Sequence, residues 1–238
     1  MGPLAAAIIA SYLLGSIPAA YIAGRWKNVD LRKHGSGNLG ATNVIRVLGA
    51  KIGIAVFAFD MAKGALPVMY LPRLVLAQPS SQLSGLLADP VILGIFCGVA
   101  AIVGHVRPIY LKFGKGGKGV ATAAGVFVAL APLPTLLTLV IFAVVLFSSG
   151  FVSLGSLTSA AMLPLLLAIT VGVHSPLFAL SVVVAAFVFW THRANITRLR
   201  NGEEHRFGKK GVVGKRSVAT LAISVVIVLS ILAAARFA

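Results

Sequence analysis

The chain has 238 residues, 58% of them hydrophobic and only 11% charged, with a mean hydropathy of +0.99. That balance excludes a soluble domain, which must cover its surface with charge. The formal net charge of +16 calls for a membrane-sided charge bias or an anionic partner, and the single cysteine, Cys97, excludes an intramolecular disulfide.

In chain order, apolar runs predict helical spans at about 4–24, 52–71 and 91–110, each long enough to cross roughly 30 Å of hydrocarbon. None alternates as a barrel strand would, so the fold class is an all-α, polytopic helical bundle. The first run is followed rather than preceded by basic residues, unlike a secretory signal. Three segments, after the first span, around residues 107–118 and from Arg193 to Arg216, hold 18 of the 21 Lys and Arg residues. The positive-inside rule puts all three on the cytoplasmic side and the N-terminus outside. An even number of spans must then separate the second from the third. The punctuation by Pro132, Pro134, Ser148–Gly150 and His174–Pro176 suggests four short ones at about 119–131, 135–148, 153–170 and 176–191. That makes seven core spans, with 217–235 as an eighth that sends the C-terminus outside. The chain accordingly divides into a membrane domain, 1–210, and an extra C-terminal helix within 211–238. Residues 73–90 read as a short external loop with an interfacial turn.

The first polar segment, DLRKHGSGNLGATNVIRVLG (30–49), packs small residues and amides between basic ones. Gly35, Gly37 and Gly40 allow sharp turns, while Ser36, Asn38, Thr42 and Asn43 offer side-chain donors, a composition suited to wrapping a polyol phosphate. The alternative is a capping turn in which Ser and Asn satisfy only the backbone. The second segment, GHVRPIYLKFGKGGKGVAT (104–122), centres on Gly114-Lys115-Gly116-Gly117-Lys118-Gly119 and opens into a helix near Val120. Glycines let N–H groups converge on an anion, the helix N-terminus adds partial positive charge, and the lysines add full charges. The spacing is not that of a P-loop, which disfavours nucleotide hydrolysis. A loop held to anionic lipid headgroups is the plainer reading.

In the third segment, THRANITRLRNGEEHRFGKK (191–210), His192, Asn195 and Leu199 fall on one helical face at i, i+3 and i+7, so the polar pair can point together while Leu199 packs. Glu203 and Glu204, among arginines, read more readily as salt-bridge partners than as proton-transfer groups. His105 and His192 are otherwise interfacial histidines at helix ends. Ser153 falls on the same cytoplasmic side, as a ligand or as a serine satisfying its own helix. Asp60 and Lys63 are the clear charges deep in a span, at i and i+3, and suit an internal pair. No metal site, cofactor or nucleic-acid partner is expected, since the histidines stand far apart and topology accounts for the basic residues.

Together SGNLGATN (36–43), GH followed by a proline and KGGKGVAT (104–122), and HRANITRL with a later acid (192–204) resemble the three motifs of the bacterial PlsY family, in order, over roughly residues 1–210. The loop here reads FGKGGKG where many members read FKGGKG. The resemblance implies a seven-helix membrane bundle at the bacterial inner membrane. Its activity would be an acyltransferase moving a fatty acyl group from acyl phosphate to the 1-hydroxyl of glycerol 3-phosphate, giving lysophosphatidic acid. It further implies that Gly114 to Gly119, with Lys115 and Lys118, hold substrate phosphate. Ser36, Arg46, His192 and Asn195 would line the glycerol 3-phosphate site, with Asn38, Thr42 and Asn43 in the same first motif and His105, Thr122, Ser153 and Glu204 as further binding positions. Membrane lipid and the enzyme that makes acyl phosphate are the expected partners.

No histidine has an acidic residue four or five positions on, and no serine or cysteine has a base and an orienting group. Direct attack of the glycerol hydroxyl is therefore favoured, helped by proximity and electrostatics, with substrate phosphate or His192 as the base. The rival from another class is a permease for phosphorylated solutes, which would gather polar groups near the midplane rather than at one face.

Overall fold

The computed structural model describes residues 2–78 and 83–207. The expected eighth span, 217–235, lies outside the described residues. Those described are helical with no strand: α1 (Gly2–Ser16), α2 (Ala19–Trp26), α3 (Ala41–Leu48), α4 (Ala50–Leu76), α5 (Pro90–Val106), α6 (Val120–Leu130), α7 (Pro132–Ser149), α8 (Val152–Thr170), α9 (Pro176–Thr191) and α10 (Arg193–Arg200). Five segments among them are long and apolar enough to cross a membrane: Gly2–Trp26, Ala50–Leu76, Pro90–Leu111, Pro132–Ser149 and Val152–Thr170. The pair α9 and α10, bent by 60°, makes a sixth if taken as one span. By this measure the count stops short of seven. At 1.5 Å per residue α6 is only about 16 Å long, half the hydrocarbon thickness.

The chain divides into two compact units, the first running from Met1 to Pro132 and the second from Leu133 onward. In the first, α4 packs on α1, α5 and α6, and α1 packs along α5. Apolar surface gains little from leaving lipid for another helix, so close backbone approach must hold such a bundle. Four glycines permit it. A Cβ on Gly15 would overlap the carbonyl of Ala101, and one on Gly104 that of Tyr12; Gly64 and Gly125 stand in the same relation to the carbonyls of Thr122 and Met61. Elsewhere Ile9, Ile54, Leu74 and Phe147 are exposed, as lipid-facing residues should be. Cys97 is buried.

Between α1 and α2 the chain breaks at Ile17 and Pro18, because Pro18 has no N–H to continue the ladder. Proline has the opposite effect at α7. Pro132 and Pro134 lie in its first turn instead of in a connector, since a missing N–H costs nothing where no carbonyl is in reach. In the second unit Ile141 and Val145 of α7 pack with Met162 and Leu166 of α8, and Ser159 Oγ donates to the Thr138 carbonyl at 2.9 Å.

Candidate active site

The first unit gathers two of the three polar segments. From Val29 to Gly40 the chain is irregular, and a single side chain organises much of it. Asn43, 1% exposed on α3, accepts from the Ser36 N–H at 2.8 Å through Oδ1, and its Nδ2 donates to the carbonyls of Leu31 and His34, each at 3.1 Å. Both amide hydrogens are thereby occupied, so Asn43 is a strut holding the loop rather than a spare donor. Gly35, at φ +63°, leaves room for that Oδ1, which a Cβ would strike. Ser36 and Arg46 are exposed, and Asn38 and Thr42 half-buried. Asp30 chelates Arg32 with Oδ1 to Nε at 2.9 Å and Oδ2 to NH2 at 3.0 Å. The hydrogen bonds from Arg32 hold the Asp30 carboxyl down at about 2, a clamp that composition alone did not suggest.

The glycine segment begins where α5 ends. Pro108 starts a single turn of 3-10 helix, Ile109–Leu111. Lys112 and Phe113 then both take left-handed φ, at +53° and +59°, an uncommon conformation for residues with a Cβ. Gly116 N–H donates to the Val106 carbonyl at 3.0 Å, folding the loop back over the end of α5. Gly119, at φ +82°, caps α6, which starts at Val120 as the sequence suggests. Gly116, Gly117 and Gly119 are buried, Gly114 and Lys118 half-buried, and Lys115 exposed. Backbone, not side chain, thus forms the inner wall. A Cβ at Gly117 would strike the His105 ring and would stand 2.9 Å from the Leu39 carbonyl, so the two polar segments meet at that residue. The first-turn N–H groups of α6 have no carbonyl within the helix to reach, so the loop ends on a set of aligned donors. His105 is 6% exposed and lies behind the loop, and Thr122 is fully buried with Oγ1 unpartnered among the described residues.

The second unit carries the third polar segment, and its hub is Glu204. Oε1 accepts from Ser153 Oγ at 2.9 Å and Asn195 Nδ2 at 2.6 Å, while Oε2 takes Arg198 Nε at 2.8 Å. Burial raises the affinity of this carboxyl for a proton, but the bonds from Asn195, Ser153 and Arg198 outweigh it and hold the group below the ordinary carboxylate range. Glu204 is therefore an ionised anchor, as expected of an acid among arginines, and Ser153 is one of its donors. The Phe207 N–H donates to the Gly150 carbonyl at 2.7 Å, fixing the segment that carries Glu204.

A continuous helix through His192 and Asn195 is not observed. His192 ends α9, and the axis turns by 60° into α10. The ring is 3% exposed, and its Nδ1 lies 2.8 Å from the Val188 carbonyl. A carbonyl only accepts, so Nδ1 carries a hydrogen, and in the neutral form of the ring the lone pair is on Nε2. Among the described residues no three His, Cys, Asp or Glu side chains form a group able to hold a metal ion.

The chain matches the glycerol-3-phosphate acyltransferase family over residues 5–202. It is 44% identical over 200 residues to a glycerol-3-phosphate acyltransferase of Geotalea daltonii, covering 84% of this chain and 95% of the relative. It is 43% identical over 201 residues to one of Fusobacterium nucleatum, covering 84% and 96%. Among solved structures it is similar to PlsY, an integral membrane glycerol 3-phosphate acyltransferase. The glycerol 3-phosphate form matches with a TM-score of 0.75 and 38% identity over 86% of this chain and 96% of that one. The lysophosphatidic acid form matches with a TM-score of 0.71 and 36% identity over 86% and 95%.

Proposed function

The chain belongs to the PlsY family of glycerol-3-phosphate acyltransferases, and from that membership we propose that it transfers a fatty acyl group from acyl phosphate to the 1-hydroxyl of glycerol 3-phosphate, releasing inorganic phosphate and lysophosphatidic acid. The observation that carries the choice of donor is the loop Gly114–Gly119, whose buried glycines lead into the α6 N-terminus beside Lys115 and Lys118. Such a cradle suits a small phosphate head, and among the described residues the connections between helices offer no domain to receive an adenine nucleotide.

In the reaction, the glycerol oxygen attacks the acyl carbonyl carbon, the tetrahedral oxyanion collapses, and the carbon–oxygen bond to phosphate breaks. The hydroxyl proton passes to the substrate phosphate or to Nε2 of His192, whose tautomer suits it to accept. Phosphate is a good leaving group, and preorganised N–H groups and lysine charges stabilise its developing charge. Ser36, Arg46 and Asn195 are assigned to glycerol 3-phosphate, with Asn38 and Thr42 alongside. Seven core spans with an eighth at 217–235, a bacterial inner-membrane location and chemistry at the cytoplasmic face complete the reading, with the acyl-phosphate-producing enzyme as a partner. A permease needs unpaired polar groups at mid-span, whereas Asp60 and Lys63 pair with each other.

The test is purified protein supplied with labelled glycerol 3-phosphate and, in turn, palmitoyl phosphate, palmitoyl-CoA and palmitoyl acyl carrier protein. Only palmitoyl phosphate should support transfer, and chelator should not abolish it. Equal activity with palmitoyl-CoA would overturn the assignment of the donor.

A further inference from the structure

Behind the glycine loop lies a buried polar chain that the reaction as written does not use. Asp60 and Lys63, one turn apart on α4, pair at 2.7 Å with side chains 3% and 4% exposed. His105 of α5 brings Nδ1 to 3.5 Å from the same Asp60 oxygen, and that nitrogen makes no hydrogen bond elsewhere among the described residues. Lys63 Nζ also donates at 2.8 Å to the carbonyl of Ile17, beside the break at Pro18. Removing such charges from water costs several kcal/mol per ion, and apolar residues of equal volume would often stabilise a core as well or better. Stability alone is thus a weak reason for the cluster.

The Nε2–Cε1 edge of the imidazole supplies a stronger one. Nε2 and Cε1 of His105 fill the space in which a Cβ of Gly117 would stand, and the His105 carbonyl does the same at Gly116. Asp60 therefore meets the ring at Nδ1, and the phosphate loop rests on its Nε2–Cε1 edge. We propose that Asp60 and His105 are positioning residues: the carboxylate fixes the orientation of the imidazole, and the imidazole fixes the backbone of Gly116 and Gly117 in the shape that receives the phosphate head of the acyl donor. The inference rests on the reading of Gly114–Gly119 as the donor's phosphate loop.

The experiment measures kcat and KM for palmitoyl phosphate and for glycerol 3-phosphate separately, in the full chain and in Lys118→Ala, Asp60→Asn, His105→Ala, Gly117→Ala and the double variant His105→Ala with Gly117→Ala. Each preparation is first checked for monodispersity. Asp60→Asn and His105→Ala should each raise the donor KM about tenfold and leave the acceptor KM within about twofold, a split that general loosening of the bundle does not produce. Gly117→Ala should be severe alone and at least about tenfold milder when the ring it strikes is gone, with the Leu39 carbonyl leaving a residual loss. Additive effects at 105 and 117, or equal changes in both KM values, overturn the proposal even if Asp60→Asn fails to insert. Turnover retained in Lys118→Ala at an unchanged donor KM would instead reject the phosphate-loop reading, while coupling between 105 and 117 would still show the ring supporting the loop.

Discussion

Replacing Asn43 by Ala separates a strut from a ligand. The substitution removes three hydrogen bonds, each with a net value of about 1 kcal/mol. Water can reach His34 and Ser36, which are exposed, but not the carbonyl of Leu31, which is 1% exposed. That stranded acceptor costs about 1 to 3 kcal/mol, so the whole change should destabilise the first unit by about 3 kcal/mol. For a chain of this length each kcal/mol moves Tm by about 2–4 °C, giving a fall of about 6–12 °C. Asn43→Asp should do no better, because it keeps the acceptor for Ser36 but sets a carboxylate against two carbonyls. Cys97, the single thiol and buried, permits the assay: a thiol-reactive dye reports its exposure as the detergent-solubilised protein is heated. A Tm within about 2 °C of wild type together with a raised KM for glycerol 3-phosphate would refute the reasoning and make Asn43 a ligand after all.

Lys118→Ala and Gly117→Leu should abolish transfer with membrane insertion intact, the first by removing charge and the second by blocking phosphate; wild-type turnover in either variant would contradict the loop's role. Lys63→Met leaves Asp60 buried without its nearest cation and should cost about 3–5 kcal/mol, whereas Lys63→Met combined with Asp60→Leu should recover much of the folded yield in a dye-based melt. Glu204 has a lowered folded pKa, so the stability it contributes is complete above its unfolded value of 4.5 and is lost as pH falls through that value toward the lower folded one. Glu204→Gln should flatten that limb of a Tm-versus-pH curve, and an unchanged limb would count against the anchor.

The features that local spacing determines were readable from the sequence. The pair Asp60 and Lys63 follows from i, i+3 spacing, and α6 begins at Val120 because a glycine run gives way to helix formers. Glu204 among arginines had few other uses. What spacing left open was decided by tertiary geometry. An amide donor looks the same whether it serves a ligand or a distant carbonyl, so Asn43 gave no sign of its direction. The bend at His192 has no Gly or Pro to mark it, and the apolar run continues unbroken to Trp190. Pro132 and Pro134 signal the end of one helix and the first turn of another equally well. His105 and Asp60 lie on different helices, and only packing brings them together.

The four close glycine contacts have a consequence for anyone trying to harden this protein for handling in detergent. Exchanging glycine for alanine within a helix ordinarily stabilises by about 1 kcal/mol, because the unfolded chain loses freedom. Consensus or propensity scores would therefore rank positions 15, 64, 104 and 125 among the attractive targets. Here the sign reverses, since a methyl group at any of them would meet the backbone carbonyl of a neighbouring helix and push the pair apart along its length. Gains should instead be sought where a residue with a Cβ takes a left-handed φ, as at exposed Lys112 or Phe113: a glycine there relieves about 1 kcal/mol of backbone strain and leaves the helix contacts untouched.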